Sequence, residues 1–191
     1  MIVEGLVTTV DPEGSPHLAP MGPRVDLDYT RLTLRPFPTS STYRNLIRTG
    51  VGIFHVTDDA GLIARAAVGK VSPFPPVMPA IQITGHVLAE TCRWYEFEVA
   101  SVDESQERIT IETRIVHRGQ GRDFFGFNRA RHALVEAAIL ATRLHLIPIE
   151  EITREYEKFR VIVTKTGGTA EAEAMSFLEA YVQQSTQGSL P

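Results

Sequence analysis

With 43% hydrophobic and 22% charged residues over 191 positions, the chain carries enough apolar side chains for a core and too many to be disordered throughout. Its formal net charge of −4 argues against broad binding to nucleic acid or to an anionic membrane. The single cysteine, Cys92, excludes an internal disulfide and any multi-cysteine metal centre.

The length suits one domain, or one domain with a helical appendage. No apolar run reaches membrane-spanning length, and residues 1–5 lack the charged and apolar regions of a signal peptide. A soluble cytoplasmic protein is the expectation.

The first half reads as β. Residues 2–10 are apolar and β-branched, and Asp11-Pro12-Glu13-Gly14 closes them with a turn signal. Residues 25–34 alternate roughly between apolar and polar. Residues 42–49 predict a short helix, with Gly50 as its C-terminal cap. The apolar run 51–56 predicts a strand. Residues 62–71 fit a short helix without requiring one. Four prolines between residues 73 and 79 exclude a regular element there. Residues 81–90, 94–103 and 108–118 predict three further strands, the last two joined by a polar hairpin turn. About six strands with short connections suit a small closed barrel.

The apolar period then changes. After Gly119-Gln120-Gly121, Asn128 is placed to cap a helix over 129–146. Pro148 restarts the chain into a second helix over 149–165, ended by Gly167-Gly168. Thr169 is placed to cap a third, running to about residue 184, with fraying expected over 185–191.

The stretch Arg35-Pro36-Phe37-Pro38-Thr39-Ser40-Ser41-Thr42-Tyr43-Arg44 carries most of the chemistry. Four consecutive hydroxyl residues precede a helix, with an arginine on each side. A single N-cap needs only one such residue. Hydroxyls, free amides at a helix start and a guanidinium fork together suit a phosphate. Met21 and Gly22 lie between two prolines, where the backbone can lay its amides against a flat ring. The six histidines form no metal-binding spacing, so no metal site is expected. His132, Glu136 and Arg143 fall on one stripe of the expected helix over 129–146, distinct from its apolar face. No Gly-rich dinucleotide fingerprint, P-loop or nucleophile elbow is present.

The segments Ala19-Pro20-Met21-Gly22, Arg35-Pro36-Phe37, Ser40-Ser41-Thr42-Tyr43-Arg44-Asn45-Leu46 and Gly52-Ile53-Phe54-His55-Val56-Thr57 resemble the flavin-reductase-like split barrels that bind FMN. The tail from Asn128 to Leu144 is similar to a small, functionally uncharacterised family of that superfamily with an added helical extension. The resemblance implies an α+β fold: a mainly antiparallel split β-barrel domain over 1–121, and a C-terminal α-helical extension over 122–191 packed on it. FMN is the implied cofactor. Its phosphate falls to Arg35, Ser40, Ser41 and Thr42, its ring edge to Met21 and Gly22, with Tyr43 and Asn45 in the same motif. His55 stands where such proteins place an asparagine. The implied activity is that of a flavin-dependent oxidoreductase; the alternative is a non-catalytic FMN carrier, or a binding module for another phosphorylated or pterin-like heterocycle. A homodimer with flavin near the subunit interface is implied as well. The helical stripe is then expected near the open side of the flavin.

Overall fold

The structure is a computed structural model and describes residues 1–187. The chain divides into two compact units, residues 1–57 with 72–124, and residues 58–71 with those from 125 onward.

Strand β1 (Gly5–Val10) lies inside the first unit, buried along almost its whole length. It pairs on one side with β2 (Pro16–Met21) and on the other with β5 (Val51–Val56). Beyond β5 come β8 (Arg93–Asp103) and β9 (Thr110–Gln120), then β4 (Leu32–Leu34) and β3 (Arg24–Val25). All seven strands are antiparallel to their neighbours. The sheet curls until its ends meet. Ile2 bridges Arg24, and the Val3 and Val25 amides donate to the carbonyls of Pro23 and Met1 at 3.2 and 2.9 Å. Register shifts in the β8–β9 ladder at Glu96/Phe97 and Val99/Ser101 sharpen the bend.

The sheet encloses Val7, Leu32, Leu34, Leu46, Phe54, Phe97 and Ile111, all essentially unexposed. Leu46 comes from α1 (Ser41–Thr49), which packs on β1 and β2. Gly50 ends α1 with φ 70°, and its amide donates to the Leu46 carbonyl, as expected of that glycine.

Several expected strands are shorter than their apolar runs. The run over 25–34 breaks because the Asp26 carboxylate accepts the Thr30 amide at 2.8 Å and its hydroxyl as well, which turns the chain. Tyr29 takes a left-handed φ of 50° in that turn, held by stacking on Tyr95 at 4.7 Å. The run over 81–90 contracts to β7 (His86–Leu88). The proline-rich segment does contribute a regular piece: β6 (Val77–Pro79) pairs with β7 in a separate two-stranded sheet. Pro79 is tolerated because β6 is an edge strand.

The second unit is helical. Residues 58–71 supply α2 (Ala60–Ala67), capped by the Asp59 carboxylate on the Leu62 amide. It shares a core with α3 (Arg129–Ala141), α4 (Ile149–Thr166) and α5 (Thr169–Gln187). Asn128 caps α3 as expected, accepting the amides of Ala130 and Arg131. The helix stops at Ala141 rather than 146. The Thr142 hydroxyl donates to the Ile139 carbonyl, and residues 143–147 close successive turns instead. Arg143 therefore lies past the helix. At α5 it is the Glu171 carboxylate, not Thr169, that accepts the Gly168 amide, at 2.9 Å. The helix continues through Gln187 where fraying was expected from 185; residues 188–191 lie outside the described residues.

The joint of Asp58, Arg131 and Glu171 ties α3 and α5 to residue 58. The Arg131 guanidinium is 3.1 Å from Asp58 and 2.9 Å from Glu171, and lies 4.9 Å above the Phe125 ring. The Arg131 hydrogen bond holds the Glu171 carboxyl below its ordinary range.

Candidate anion site at the start of α1

The chain leaves β4 at Leu34 and reaches α1 through residues 35–40. Arg35 is half-buried on this path. Its Nε is fully buried and has no hydrogen-bond partner among the described residues. A buried guanidinium N–H left unpaired costs about 1–3 kcal/mol or more. An anion at this place would satisfy it.

The hydroxyl cluster divides its work. Ser40 is the N-cap: its hydroxyl accepts the Tyr43 amide at 3.2 Å and donates to the Phe37 carbonyl at 2.8 Å. Ser41 accepts from Arg44 Nη2 at 3.0 Å, while Arg44 Nη1 reaches the Thr39 carbonyl at 2.6 Å. Thr42 is buried in the first turn. Helix geometry leaves the first-turn amides without intrahelical acceptors, so they add partial positive charge. No acidic residue occupies that turn. Phe37 stands exposed beside the cap, with the Arg108 guanidinium 4.1 Å above its ring. The Tyr43 hydroxyl bonds the Glu104 carboxylate, which pushes the phenol above its ordinary pKa.

Asn45 faces the barrel. Its side-chain amide donates to the Thr9 hydroxyl at 3.0 Å, and Thr9 lies 3.5 Å from His17 Nδ1. Met21 ends β2 half-buried against the barrel core, and Gly22 follows it, exposed. The structure thus gathers Ser40, Ser41, Thr42, Tyr43 and Asn45 on one short helix, with Arg35 on the path into it and Met21 and Gly22 at the end of a strand that the helix packs on.

His55 is placed elsewhere. Phe54 points into the barrel with Leu46, so its neighbour His55 points to the other face of the sheet. Its Nδ1 bonds the Leu6 carbonyl at 3.3 Å and its Nε2 accepts the Leu88 amide at 3.1 Å. Burial lowers its pKa to about 3 and keeps it neutral.

A second buried polar centre went unforeseen. The Glu96 carboxylate accepts the amides of Ile81 and Gln82 at 2.9 and 2.7 Å and the Trp94 indole at 3.2 Å. Burial alone would raise its pKa; those bonds more than offset it and hold the carboxyl below its ordinary range. A glutamate inside an apolar, alternating strand was the available signal. Thr9, at the inward period of β1, was the corresponding signal for the pair with Asn45.

In the helical unit His132 and Glu136 are 79% and 49% exposed and 3.9 Å apart, an ordinary surface pair. Arg143 is exposed in the turn beyond α3, so the three do not form one helical stripe. Among the described residues, no three His, Cys, Asp or Glu side chains converge as a metal site, and no helix is long and apolar enough to cross a membrane.

Two family profiles match the chain: "Protein of unknown function (DUF447) N-terminal domain" over residues 3–122, and "Protein of unknown function (DUF447)" over 128–180. No curated protein sequence matches it. Among solved structures it is similar to an FMN-bound DUF447 protein of Methanosarcina mazei, at 23% identity and a TM-score of 0.80, over 94% of each chain. The styrene monooxygenase flavin reductase of Pseudomonas putida S12 matches at 16% identity and TM-score 0.52, over 62% of this chain and 81% of that one. Flavoredoxin of Desulfovibrio vulgaris matches at 13% and 0.52, over 63% and 70%. At such identities the likeness is one of fold: an antiparallel, flavin-reductase-like half-barrel with helices added.

Proposed function

This chain belongs to the DUF447 family, and on that footing we propose that it is an FMN-binding flavoprotein whose phosphate site is the start of α1. The observation that carries the reading is the buried, partnerless Nε of Arg35 on the path into a helix whose first turn holds Ser40, Ser41 and Thr42. A phosphate dianion there gains a charge-assisted bond from Arg35, the first-turn amides and the Ser41 and Thr42 hydroxyls, while Ser40 holds the turn in shape. Arg44 is within reach of the same place. The backbone of Met21 and Gly22 would hold the edge of the flavin ring. Tyr43 and Asn45 keep α1 in place, and His55 fixes the strands behind it.

The FMN-bound relative supports this reading, as do the flavin-reductase and flavoredoxin neighbours. When bound, the flavin supplies the redox chemistry, and this chain binds and orients it. We read the activity as hydride transfer between a reduced donor, such as a nicotinamide, and the flavin, in a homodimer of the split-barrel kind.

Protein purified without added cofactor is expected to be yellow and to release FMN on heating. A colourless protein that fails to bind FMN on titration sinks the proposal. NAD(P)H oxidation under air tests turnover separately, and sedimentation of the loaded protein tests the dimer.

A further inference from the structure

We propose that His17 is a specificity-determining residue of this site, a neutral imidazole whose Nε2–H donates to an oxygen of the ligand's phosphate, with Thr9 and Asn45 as the residues that position it. The inference rests on the reading of α1 as a phosphate site.

The argument begins with one hydrogen atom. Thr9 and His17 stand opposite each other in the β1–β2 ladder. Thr9 and Asn45 are 3% and 4% exposed, so water does not serve their polar atoms. The Asn45 amide donates to the Thr9 oxygen. The Thr9 hydroxyl has a single proton, and the acceptor within range is His17 Nδ1, at 3.5 Å. If His17 instead donated from Nδ1, the Thr9 oxygen would receive two donors and its own buried proton would lack an acceptor. The arrangement that satisfies every group leaves Nδ1 bare and puts the imidazole proton on Nε2. That Nε2–H has no partner among the described residues.

The place and the charge of the imidazole fit the same role. Burial lowers the His17 pKa below its ordinary value; Asp11 opposes this and Arg44 adds to it. The ring is therefore neutral at pH 7. The imidazole stands on β2, the strand that α1 packs on, and is linked through Thr9 to Asn45 of that helix. A neutral donor beside a cation suits an anionic oxygen, and it adds selectivity for phosphate without another buried charge.

Nitrogen-15 NMR of the native protein reads the tautomer directly. A bare Nδ1 with a protonated Nε2 at pH 7 is expected; the opposite tautomer or an imidazolium overturns the proposal. Titrating FMN and riboflavin into native, His17→Ala, Thr9→Val and Arg35→Ala protein reads the role. His17→Ala is expected to lose about tenfold in FMN affinity and nothing for riboflavin, which lacks the phosphate. Thr9→Val, close in shape, should lose a smaller share of FMN affinity and shift the His17 nitrogen signals. If His17→Ala binds FMN like native protein while Arg35→Ala does not, the His17 assignment fails and the phosphate site stands. If neither variant loses FMN affinity, the site reading fails and the His17 assignment with it.

Discussion

Gly119 stands opposite Trp94 in the β8–β9 ladder, and a Cβ at Gly119 would come within 2.0 Å of the indole ring. Trp94 is 6% exposed and its indole nitrogen is bonded to Glu96. The ring therefore cannot step aside without breaking that bond. Gly119→Ala is expected to destabilise the protein by about 1–3 kcal/mol through overpacking. In a Trp94→Leu background the same change should cost much less. Urea unfolding of the four proteins of this cycle measures the coupling; equal costs in both backgrounds would show that the clash is relieved elsewhere.

His55 predicts a particular acid sensitivity. Its folded pKa is about 3, against 6.5 for a solvated imidazole. Between these values the unfolded chain takes up a proton that the folded protein refuses. Stability is thus fully present above pH 6.5 and is lost as the pH falls toward 3. By pH 4.5 the loss from this one group amounts to about 2–3 kcal/mol. A His55→Gln variant should be less stable than native protein at pH 7, since its bonds to Leu6 and Leu88 are disturbed. Its stability should also fall less steeply between pH 6.5 and 4.5, by about 1.4 kcal/mol per pH unit. Identical slopes for the two proteins would mean that His55 is protonated in the folded state.

Glu96 anchors the segment at residues 81–83 through a carboxylate. Replacing it with Gln removes the charge and turns an NH2 group toward one of the amides that the second oxygen now serves. Charge-assisted bonds are worth about 1.5–3 kcal/mol. Glu96→Gln should lose a comparable amount of stability at pH 7, and the amides of Ile81 and Gln82 should exchange with solvent much faster. Unchanged exchange at these two positions would remove the anchor role.

The unpaired Nε of Arg35 sets up a trade-off between stability and binding. Arg35→Met replaces a partly buried, unsatisfied guanidinium by an apolar side chain of similar length. Without ligand, the variant is expected to be at least as stable as native protein. Its FMN affinity should fall tenfold or more. A variant that lost stability and kept its affinity would assign Arg35 to structure alone.

The turn chemistry of this fold was legible in the sequence because it is local. The Gly50 stop, the Asn128 cap and the hairpin between β8 and β9 each depend on residues within a few positions. Termination was harder to read. Asp26 breaks a strand and Thr142 ends a helix through side-chain bonds to the backbone that compete with an otherwise continuous apolar pattern. Least legible were the buried polar groups. His55 serves backbone atoms 49 and 33 residues away, and Asn45 reaches Thr9 across 36. Periodicity fixes the face a side chain occupies but not its partner on another strand. For the candidate site, the helix start and its hydroxyls could be read directly, whereas the roles of His17, Thr9 and Glu96 required the sheet register.

Helix α2 has a consequence for the order in which this protein can fold. Its buried residues Ala60, Ile63 and Ala64 come between β5 and the last two barrel strands, β8 and β9, yet Ala60 and Ala64 belong to a core completed by Leu134, Ile152 and Leu178. During synthesis this helix leaves the ribosome long before its partners, and its alanine face must wait for the last third of the chain. A fragment ending at residue 124 would carry every barrel strand and an apolar helix with nothing to cover it. That makes the fragment a candidate for chaperone capture and aggregation rather than a free-standing barrel.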